Sequence, residues 1–239
     1  ISFSISKGEK LGLVGESGSG KTMTALSIMR LIPSPPAKIV DGNIIFENKN
    51  LCSISEAEMQ KIRGKDIAMI FQEPVSSLNP IFTISDQIAE VLLFHTNISK
   101  EKAQDKVLEL LAIVGIPSPK QRVHDYPHNL SGGMCQRVMI AMALAGNPKL
   151  LIADEPTTAL DVTIQAQILD LLLELNKTMG LSFLLITHDL GVVAQICDTV
   201  AVMNAGKIVE KGSTKEIFNH PKHPYTIKLL EAMPRLGKK

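Results

Sequence analysis

Short apolar runs alternate with longer amphipathic segments along the chain. Residues 11–14, 150–153 and 199–203 are apolar runs of the length expected for buried strands. Residues 84–94 and 100–114 carry apolar side chains at a spacing of three to four, which predicts two amphipathic helices. Strands that alternate with helices indicate an α/β fold.

A small antiparallel piece is expected near the start of the chain. Residues 41–46 predict a turn followed by a strand, and we expect this strand to pair with another over residues 1–5. Phe3 alternates with Ile1 and Ile5, so we place it in the core. Residues 207–210 predict a late strand that completes the β layers.

Composition indicates an ordinary globular chain. The 239 residues are 45% hydrophobic, which is enough for a sizeable core. The 25 basic and 24 acidic residues give a net charge of only +1, which argues against a nucleic-acid partner. No apolar stretch approaches the roughly 20 residues that cross a bilayer. Three cysteines without C-x-x-C spacing favour reduced thiols over a disulfide or zinc framework.

A glycine-rich loop, residues 15–22, follows the first apolar run and precedes a helical pattern. This phosphate loop fits G-x-x-x-x-G-K-[ST], in which glycines let backbone N–H groups turn toward phosphates. Lys21 adds a charge for the β and γ phosphates, Thr22 offers a hydroxyl to Mg²⁺, and the helix start adds its positive dipole end. The predicted nucleotide-binding residues of the loop are Gly15, Glu16, Ser17, Gly18, Ser19, Gly20, Lys21 and Thr22.

Two carboxylates follow the apolar run at residues 150–153. A buried parallel strand delivers its last residue to the carboxyl edge of the sheet, where open α/β sheets bind ligands. We therefore assign Asp154 to holding Mg²⁺ and Glu155 to accepting a proton from an attacking water. The alternative is a solvated acidic turn.

A third segment, residues 130–133, has the sequence Leu-Ser-Gly-Gly. In isolation it predicts a flexible turn before a capped helix. With Ser131 as the N-cap, the first turn of that helix offers unpaired N–H groups to phosphate. Ser131, Gly132 and Gly133 are therefore predicted to contact a nucleotide.

Together and in this order, the three segments resemble the motifs of ABC transporter ATPases, in which residues 130–133 would be the signature segment. The resemblance covers almost the whole chain. It implies a P-loop NTPase of the ABC cassette type, with a mixed sheet core, a small antiparallel β subdomain and an inserted helical subdomain. It also implies ATP and Mg²⁺ as cofactors. A second ATPase subunit, identical or paralogous, would face the first head to tail, so that Ser131 and Gly133 of one meet the γ phosphate held by Lys21 of the other.

The resemblance treats residues 1–239 as a single ABC ATPase domain with three parts. They are a RecA-like core with the β subdomain at residues 1–75 and 150–212, a helical subdomain at 76–149 that grips the transmembrane subunits, and a truncated C-terminal helical tail at 213–239. The aromatic residue on which the family stacks adenine lies upstream of Ile1, so we expect the native chain to begin earlier.

Three further residues take their roles from the resemblance. Gln72 follows an apolar strand and resembles the family glutamine that senses Mg²⁺ and the nucleophilic water. His188 resembles the histidine that contacts the γ phosphate and steadies Glu155, although a lone His after a strand is also an ordinary polar surface residue. Asp161 belongs to a loop, residues 159–161, that reaches across the dimer seam, a role compatible with that of a helix N-cap.

The His-Pro-Tyr-Thr at residues 223–226 resembles ATPases of oligopeptide, dipeptide and nickel importers. The implied function is ATP hydrolysis that powers peptide uptake, with nickel or metal-chelate import as the alternative. The implied partners are permease subunits and, through them, an extracytoplasmic solute-binding protein, at the cytoplasmic face of a bacterial or archaeal plasma membrane. His220 and His223 also have metal-ligand spacing, but the neighbouring prolines prevent a helix there.

Two functions from other classes remain as alternatives. A non-transport ABC ATPase that acts on nucleic acid or ribosomes would favour a coiled-coil, zinc-bearing or basic insert, and the sequence has none. A regulatory module without turnover is disfavoured by Glu155, Gln72 and His188. Cys135 stands beside the signature segment where many relatives carry a basic residue, so we expect ATPase activity to be sensitive to thiol reagents.

Overall fold

Strands and helices alternate along the chain, as the apolar runs predict. The computed structural model describes residues 1–158 and 160–232. The first part contains β1 (Lys10–Val14), α1 (Lys21–Ile28), β2 (Ile45–Phe46), β3 (Lys49–Asn50), α2 (Glu56–Ile62), β4 (Ile67–Ile70), α3 (Pro74–Ser77), α4 (Ile84–His95), α5 (Lys100–Ile113) and α6 (Pro119–Arg122). After a 3-10 turn at Pro127–Asn129 come α7 (Gly132–Ala145), β5 (Leu150–Asp154), α8 (Val162–Met179), β6 (Ser182–Thr187), α9 (Leu190–Ile196), β7 (Thr199–Asn204), β8 (Lys207–Ser213), α10 (Thr214–Asn219) and α11 (Pro224–Glu231).

The main sheet has the strand order β4-β5-β6-β1-β7-β8. The pairs from β4 through β7 are parallel, and β8 pairs antiparallel with β7. This arrangement confirms the predicted mixed sheet. Because the parallel strands point the same way, the loops that follow β4, β5, β6 and β1 leave from one edge of the sheet, where α/β proteins bind ligands.

Apolar side chains cover both faces of this sheet. In β5, Leu151 and Ala153 belong to the larger apolar cluster, whereas Ile152 between them belongs to the smaller one. Such alternation is expected of a strand whose successive side chains point to opposite faces. The sheet is therefore the middle layer of the molecule, and its register is fixed by burial on both sides.

The segment between β4 and β5 is mainly helical, as expected from its apolar spacing. The helices predicted at residues 84–94 and 100–114 are confirmed as α4 and α5. Thr83 caps α4 in a reciprocal capping box with Asp86. Helix α7 packs against α4, α5 and β4, and so joins this helical layer to the sheet. The division of the chain into subdomains stays a prediction.

The prediction of a strand at residues 1–5 was wrong. The structure places no strand before Lys10 in this described part of the chain. Instead β2 and β3 pair antiparallel with each other, and Phe3 and Ile5 pack against the smaller apolar cluster. The alternation at residues 1–5 thus reflects burial of one side of an extended segment rather than a ladder of hydrogen bonds.

No helix within residues 1–158 and 160–232 has both the length and the apolar character required to cross a membrane.

Gly146→Ala tests the packing at the end of α7. A Cβ at this position would overlap with the backbone carbonyl oxygen of Gly64, and backbone yields less readily than the tip of a side chain. We expect the substitution to lower the free energy of unfolding by about 1–3 kcal/mol in urea denaturation.

Gly132→Ala, at the opposite end of α7, is the matched control for stability. A Cβ there meets no atom of the described residues within 4 Å, so we expect a change below about 0.5 kcal/mol. Equal effects of the two substitutions would contradict the close approach of α7 to Gly64.

Candidate functional site

The phosphate loop joins β1 to α1, and its glycines are required by its shape. A Cβ at Gly15 would overlap with the carbonyl oxygen of Met203 in the neighbouring strand β7. Gly18 and Gly20 have φ angles of 78° and 106°, which side chains of L-residues rarely permit. The amide of Gly206 donates to Ser19 O at 2.9 Å and ties the loop to the β7–β8 turn. The loop is thus a fixed concave turn at the carboxyl end of β1.

Lys21 begins α1 and turns back over this loop. Its side chain is buried, and Nζ donates to the carbonyl oxygens of Gly15 at 2.7 Å and Glu16 at 2.9 Å. Burial lowers the pKa of Lys21, while the charges of Glu155 and Asp154 act in the opposite direction. The ammonium group of Lys21 is therefore partly desolvated, and its hydrogen-bond partners are backbone carbonyl oxygens. Phosphate oxygens can replace these carbonyl oxygens as acceptors.

Asp154 is the last residue of β5 and is only 2% exposed. Burial raises its pKa, against the hydroxyl of Thr22 and the charge of Lys21, which favour the carboxylate. Its Oδ1 atom is buried without a hydrogen-bond partner among the described residues. A buried carboxylate oxygen without a hydrogen-bond partner is uncommon in a folded protein. A carboxylate oxygen beside a hydroxyl suits a hard divalent cation. The predicted residues for Mg²⁺ are Thr22, Gln72 and Asp154. Thr22 and Asp154 fit that ion, whereas the side-chain amide of Gln72 donates to Glu155 at 3.2 Å.

Glu155 is held by donors from three separate segments. Its Oε2 accepts from Gln72 Nε2 at 3.2 Å and from Thr158 Oγ1 at 2.8 Å, and its Oε1 accepts from His188 Nδ1 at 3.1 Å. Burial acts to raise the pKa of Glu155, but the hydrogen bonds from His188 and Thr158 outweigh it, so the pKa lies below its usual range. The carboxylate is ionised at neutral pH and has a fixed orientation.

Glu155 also has a backbone in the left-handed region, with φ of 48°. This conformation is uncommon for a residue with a side chain. Its amide donates to Ile186 O at 2.8 Å, which prolongs the pairing of β5 with β6 by one residue. The hydrogen bonds from Gln72, Thr158 and His188 go to Glu155, whereas the charge of Lys21 acts on both carboxylates.

The signature segment is correctly placed as the start of a helix but does not reach the phosphate loop. Ser131 caps α7, and its Oγ accepts from Met134 N at 3.3 Å. Gly133 lies against Ile164 of α8, which is capped by Asp161 through a bond of 2.9 Å to the Ile164 amide. Within the described part of the chain, no hydrogen bond or ion pair joins residues 131–133 to the phosphate loop. Ala159, part of the predicted seam loop, lies outside the described residues.

Sequence reasoning missed Thr158 and the contact of Tyr225 with the loop. Thr158 follows Glu155 by three residues in a tight turn, a spacing at which a hydroxyl returns to the carboxylate. Tyr225 stands in the C-terminal motif, and its hydroxyl accepts from Glu16 N at 3.0 Å. Nothing in the spacing of 209 positions predicts that contact.

His220 and His223 have structural positions at two helix ends. His220 is the C-cap of α10, and His223 is the N-cap of α11, where its Nδ1 accepts from Tyr225 N at 3.2 Å. Among the described residues, no group of three or more His, Cys, Asp or Glu lies together as a metal site would require. The imidazole of His223 therefore has a capping role, whereas His220 takes part in its helix end through its backbone N–H, which donates to Glu216 O.

Comparison with known proteins defines the class of protein to which this fold and site belong. The family described as "ABC transporter" matches residues 1–158, and the region described as "Oligopeptide/dipeptide transporter, C-terminal region" matches residues 209–239. The chain belongs to the ABC transporter family. The predicted resemblance is confirmed.

Two curated relatives from Bacillus subtilis (strain 168) are similar over nearly the whole chain. The oligopeptide transport ATP-binding protein OppD is 60% identical over 236 residues, which cover 99% of this chain and 66% of OppD. The dipeptide transport ATP-binding protein DppD is 57% identical over 236 residues, which cover 99% of this chain and 70% of DppD. The chain thus spans about two thirds of the length of these relatives.

Among solved structures, the ATP-binding cassette MJ0796 has the same fold. Its dimeric post-hydrolysis state, bound to ADP and Pi, has a TM-score of 0.78 and 30% identity, over 89% of this chain and 88% of that chain. The predicted ABC cassette fold, with a mixed sheet, a separate two-stranded sheet and an inserted group of helices, is confirmed.

Cys135 does not fit the expectation of a reactive thiol. It is 0% exposed in the larger apolar cluster, and its Sγ donates to Pro127 O at 3.5 Å. Burial raises the pKa of Cys135, which disfavours the thiolate that reacts with alkylating agents. The residue lies on the core side of α7.

Alkylation with iodoacetamide at neutral pH checks this burial. We expect half-buried Cys52 to be modified well before Cys135 in the folded protein, as measured by mass spectrometry of digested peptides. In urea the two rates are expected to converge, which serves as the control. Equal rates in the folded protein would show that Cys135 is accessible.

Proposed function

We propose that this chain is the ATP-binding and hydrolysing subunit of an ABC importer that takes up peptides. The observation that carries the proposal is the oriented Glu155 carboxylate, held by Gln72, Thr158 and His188 at the same edge of the sheet as the phosphate loop. The C-terminal match to peptide transporters supports the transport function, since residues 209–239 lie outside the sequence of the ATP site motifs.

The phosphate loop holds the triphosphate in this proposal. Backbone N–H groups of the loop and of the start of α1 bind the anion, except those of Glu16 and Ser19, which are bonded to Tyr225 and to Glu16 O. Ser19 adds a buried hydroxyl without a partner among the described residues. Lys21 exchanges its two carbonyl partners for phosphate oxygens. When bound between Asp154 and Thr22, Mg²⁺ supplies electrostatic stabilisation of charge that develops on the phosphates.

Glu155 accepts the proton of the attacking water. Its lowered pKa keeps it ionised at neutral pH, and its three hydrogen bonds leave the carboxylate fixed while the proton arrives. His188, more than half exposed, steadies Glu155 and reaches the γ phosphate, and Gln72 links the site to the helical segment after β4. The water oxygen bonds to the γ phosphorus, the bond from that phosphorus to the bridging oxygen breaks, and ADP leaves. Lys21 neutralises charge on the phosphoryl group during this transfer.

A second cassette completes the site. Ser131, Gly132 and Gly133 are solvent-facing or half-buried and are not bonded to the phosphate loop of their own chain within the described residues. In a head-to-tail pair, the start of α7 from one cassette faces the γ phosphate of the other, and Asp161 lies at the seam. The dimeric state of MJ0796 supports such a pair, with either an identical or a paralogous partner.

Peptides are the favoured cargo and permease subunits the favoured membrane partners. Both curated relatives are named for oligopeptide or dipeptide transport, and neither for nickel. We place the cassette at the cytoplasmic face of a plasma membrane, bound to permease subunits that receive cargo from an extracytoplasmic solute-binding protein. The helices between β4 and β5 carry the contact to the permease.

Glu155→Gln tests the proton-acceptor role. The amide keeps hydrogen-bonding capacity but cannot take a proton at neutral pH, so we expect ATP hydrolysis to fall by about 100-fold or more. ATP binding is expected to persist, since the phosphate loop is intact. Phosphate release and nucleotide binding are measured on the same preparation.

Glu174→Gln is the matched control, because Glu174 is an exposed glutamate on α8 away from these contacts. We expect it to hydrolyse ATP at the unmodified rate. Rapid turnover by the Glu155→Gln protein would show that Glu155 is not the base.

Uptake of labelled dipeptide, a longer peptide and Ni²⁺ tests the cargo. Cells that carry the chain with a Lys21→Ala substitution are compared with cells that carry the unmodified chain. We expect peptide uptake to be lost, because the buried charge that binds phosphate is gone. Loss of Ni²⁺ uptake alone would replace peptide by metal as cargo, and no loss of either would refute both.

A further inference from the structure

The C-terminal His-Pro-Tyr segment contacts the phosphate loop. The hydroxyl of Tyr225 accepts a hydrogen bond from Glu16 N at 3.0 Å, across 209 positions of sequence. On the inner side of the loop, Glu16 O accepts from Lys21 Nζ at 2.9 Å. Lys21 Nζ also donates to Gly15 O at 2.7 Å, which lies in the same peptide unit as the Glu16 amide. The Gly15–Glu16 peptide unit is therefore held by the lysine at its carbonyl oxygen and by the tyrosine of α11 at its N–H.

The position of Tyr225 is set by a chain of polar contacts from β8. Glu210 accepts from the backbone amides of Lys222 at 2.8 Å and His223 at 3.0 Å, which fixes the turn before α11. His223 then caps α11, with its Nδ1 accepting from Tyr225 N at 3.2 Å. Pro224 occupies the first turn, where its missing N–H costs nothing. Each residue of the segment thus contributes to aiming the tyrosine hydroxyl.

The contact lies at the surface of the protein rather than in its core. Glu16 is exposed, so water can replace a lost hydroxyl at its amide, and the cost to global stability is small. The tyrosine ring packs against the larger apolar cluster and holds α11 in place without the hydroxyl. What the hydroxyl adds is restriction of the loop backbone at a residue adjacent to Gly15 and Ser17.

We propose that Tyr225 is a positioning residue for nucleotide binding: the His-Pro-Tyr segment braces the phosphate loop from outside through the Glu16 amide. The inference rests on the proposed function, because the loop is taken to hold ATP. It gives the C-terminal region of this chain a role in the ATP site. A loop fixed before the nucleotide arrives loses less conformational freedom on binding.

Tyr225→Phe removes the hydroxyl and keeps the ring. We expect the dissociation constant for ATP, measured by calorimetry with the Glu155→Gln chain to prevent turnover, to rise about three- to tenfold. The unfolding midpoint without nucleotide is expected to stay unchanged. Tyr126→Phe, which removes the only other tyrosine hydroxyl of the chain, is the matched control and is expected to bind ATP normally.

A second pair of variants tests the aiming of the tyrosine. His223→Asn keeps a side-chain acceptor suited to a helix N-cap, whereas His223→Ala removes it. We expect His223→Ala to weaken ATP binding in the same direction as Tyr225→Phe, and His223→Asn to retain most of the affinity.

The outcomes distinguish a failure of the positioning role of Tyr225 from a failure of the proposed function. If the chain with Tyr225 intact fails to bind ATP, the proposed function is wrong. If it binds ATP and the Tyr225→Phe protein binds ATP with the same affinity, the positioning role of Tyr225 is overturned. A lower unfolding midpoint with unchanged affinity also overturns it, since the hydroxyl then only anchors α11.

Discussion

The site exists because four parallel strands end at one edge of a single sheet. The order β4-β5-β6-β1 places Gln72, then Asp154 and Glu155, then His188, then the phosphate loop along that edge. Apolar clusters cover both faces of the sheet, so a slip of one residue in any strand would move each side chain to the opposite face, into space packed around a different side chain. The burial that stabilises the core therefore also fixes the spacing of the proposed catalytic groups along this edge.

Charge is the second constraint on this edge. Burial lowers the pKa of Lys21 and raises that of Asp154, while each charge favours ionisation of the other. Buried charges are tolerated when they compensate one another, yet Asp154 keeps an oxygen without a partner among the described residues. In the free protein, Lys21 and Asp154 are therefore desolvated without full compensation by neighbouring groups. A bound triphosphate and its cation would supply the missing opposite charges. We infer that nucleotide binding stabilises the fold as well as starting the reaction.

The elements that the sequence predicts well are those specified by local pattern. The strands β1 and β5, the helices α4 and α5, and the caps at Ser131 and Asp161 all follow from apolar spacing and cap chemistry within short windows. Helix α2 was missed although Ser55 and Glu58 form a capping box readable from spacing alone. The prediction of a paired strand at residues 1–5 was wrong because any extended segment with one buried side shows alternating apolar and polar residues. The Tyr225 contact depends on how β8 and α11 pack, and no local pattern contains that information.

We propose that one chain carries part of each catalytic site and that a second cassette supplies the rest. The most direct measurement is ATP hydrolysis per chain as a function of chain concentration, over a range in which sedimentation shows the change from monomer to dimer. We expect the rate per chain to rise with the dimer fraction, or to appear only when a paralogous cassette is added. A rate per chain that stays constant down to fully monomeric protein would contradict the account, because the phosphate loop, Glu155 and the other groups of one chain would then suffice.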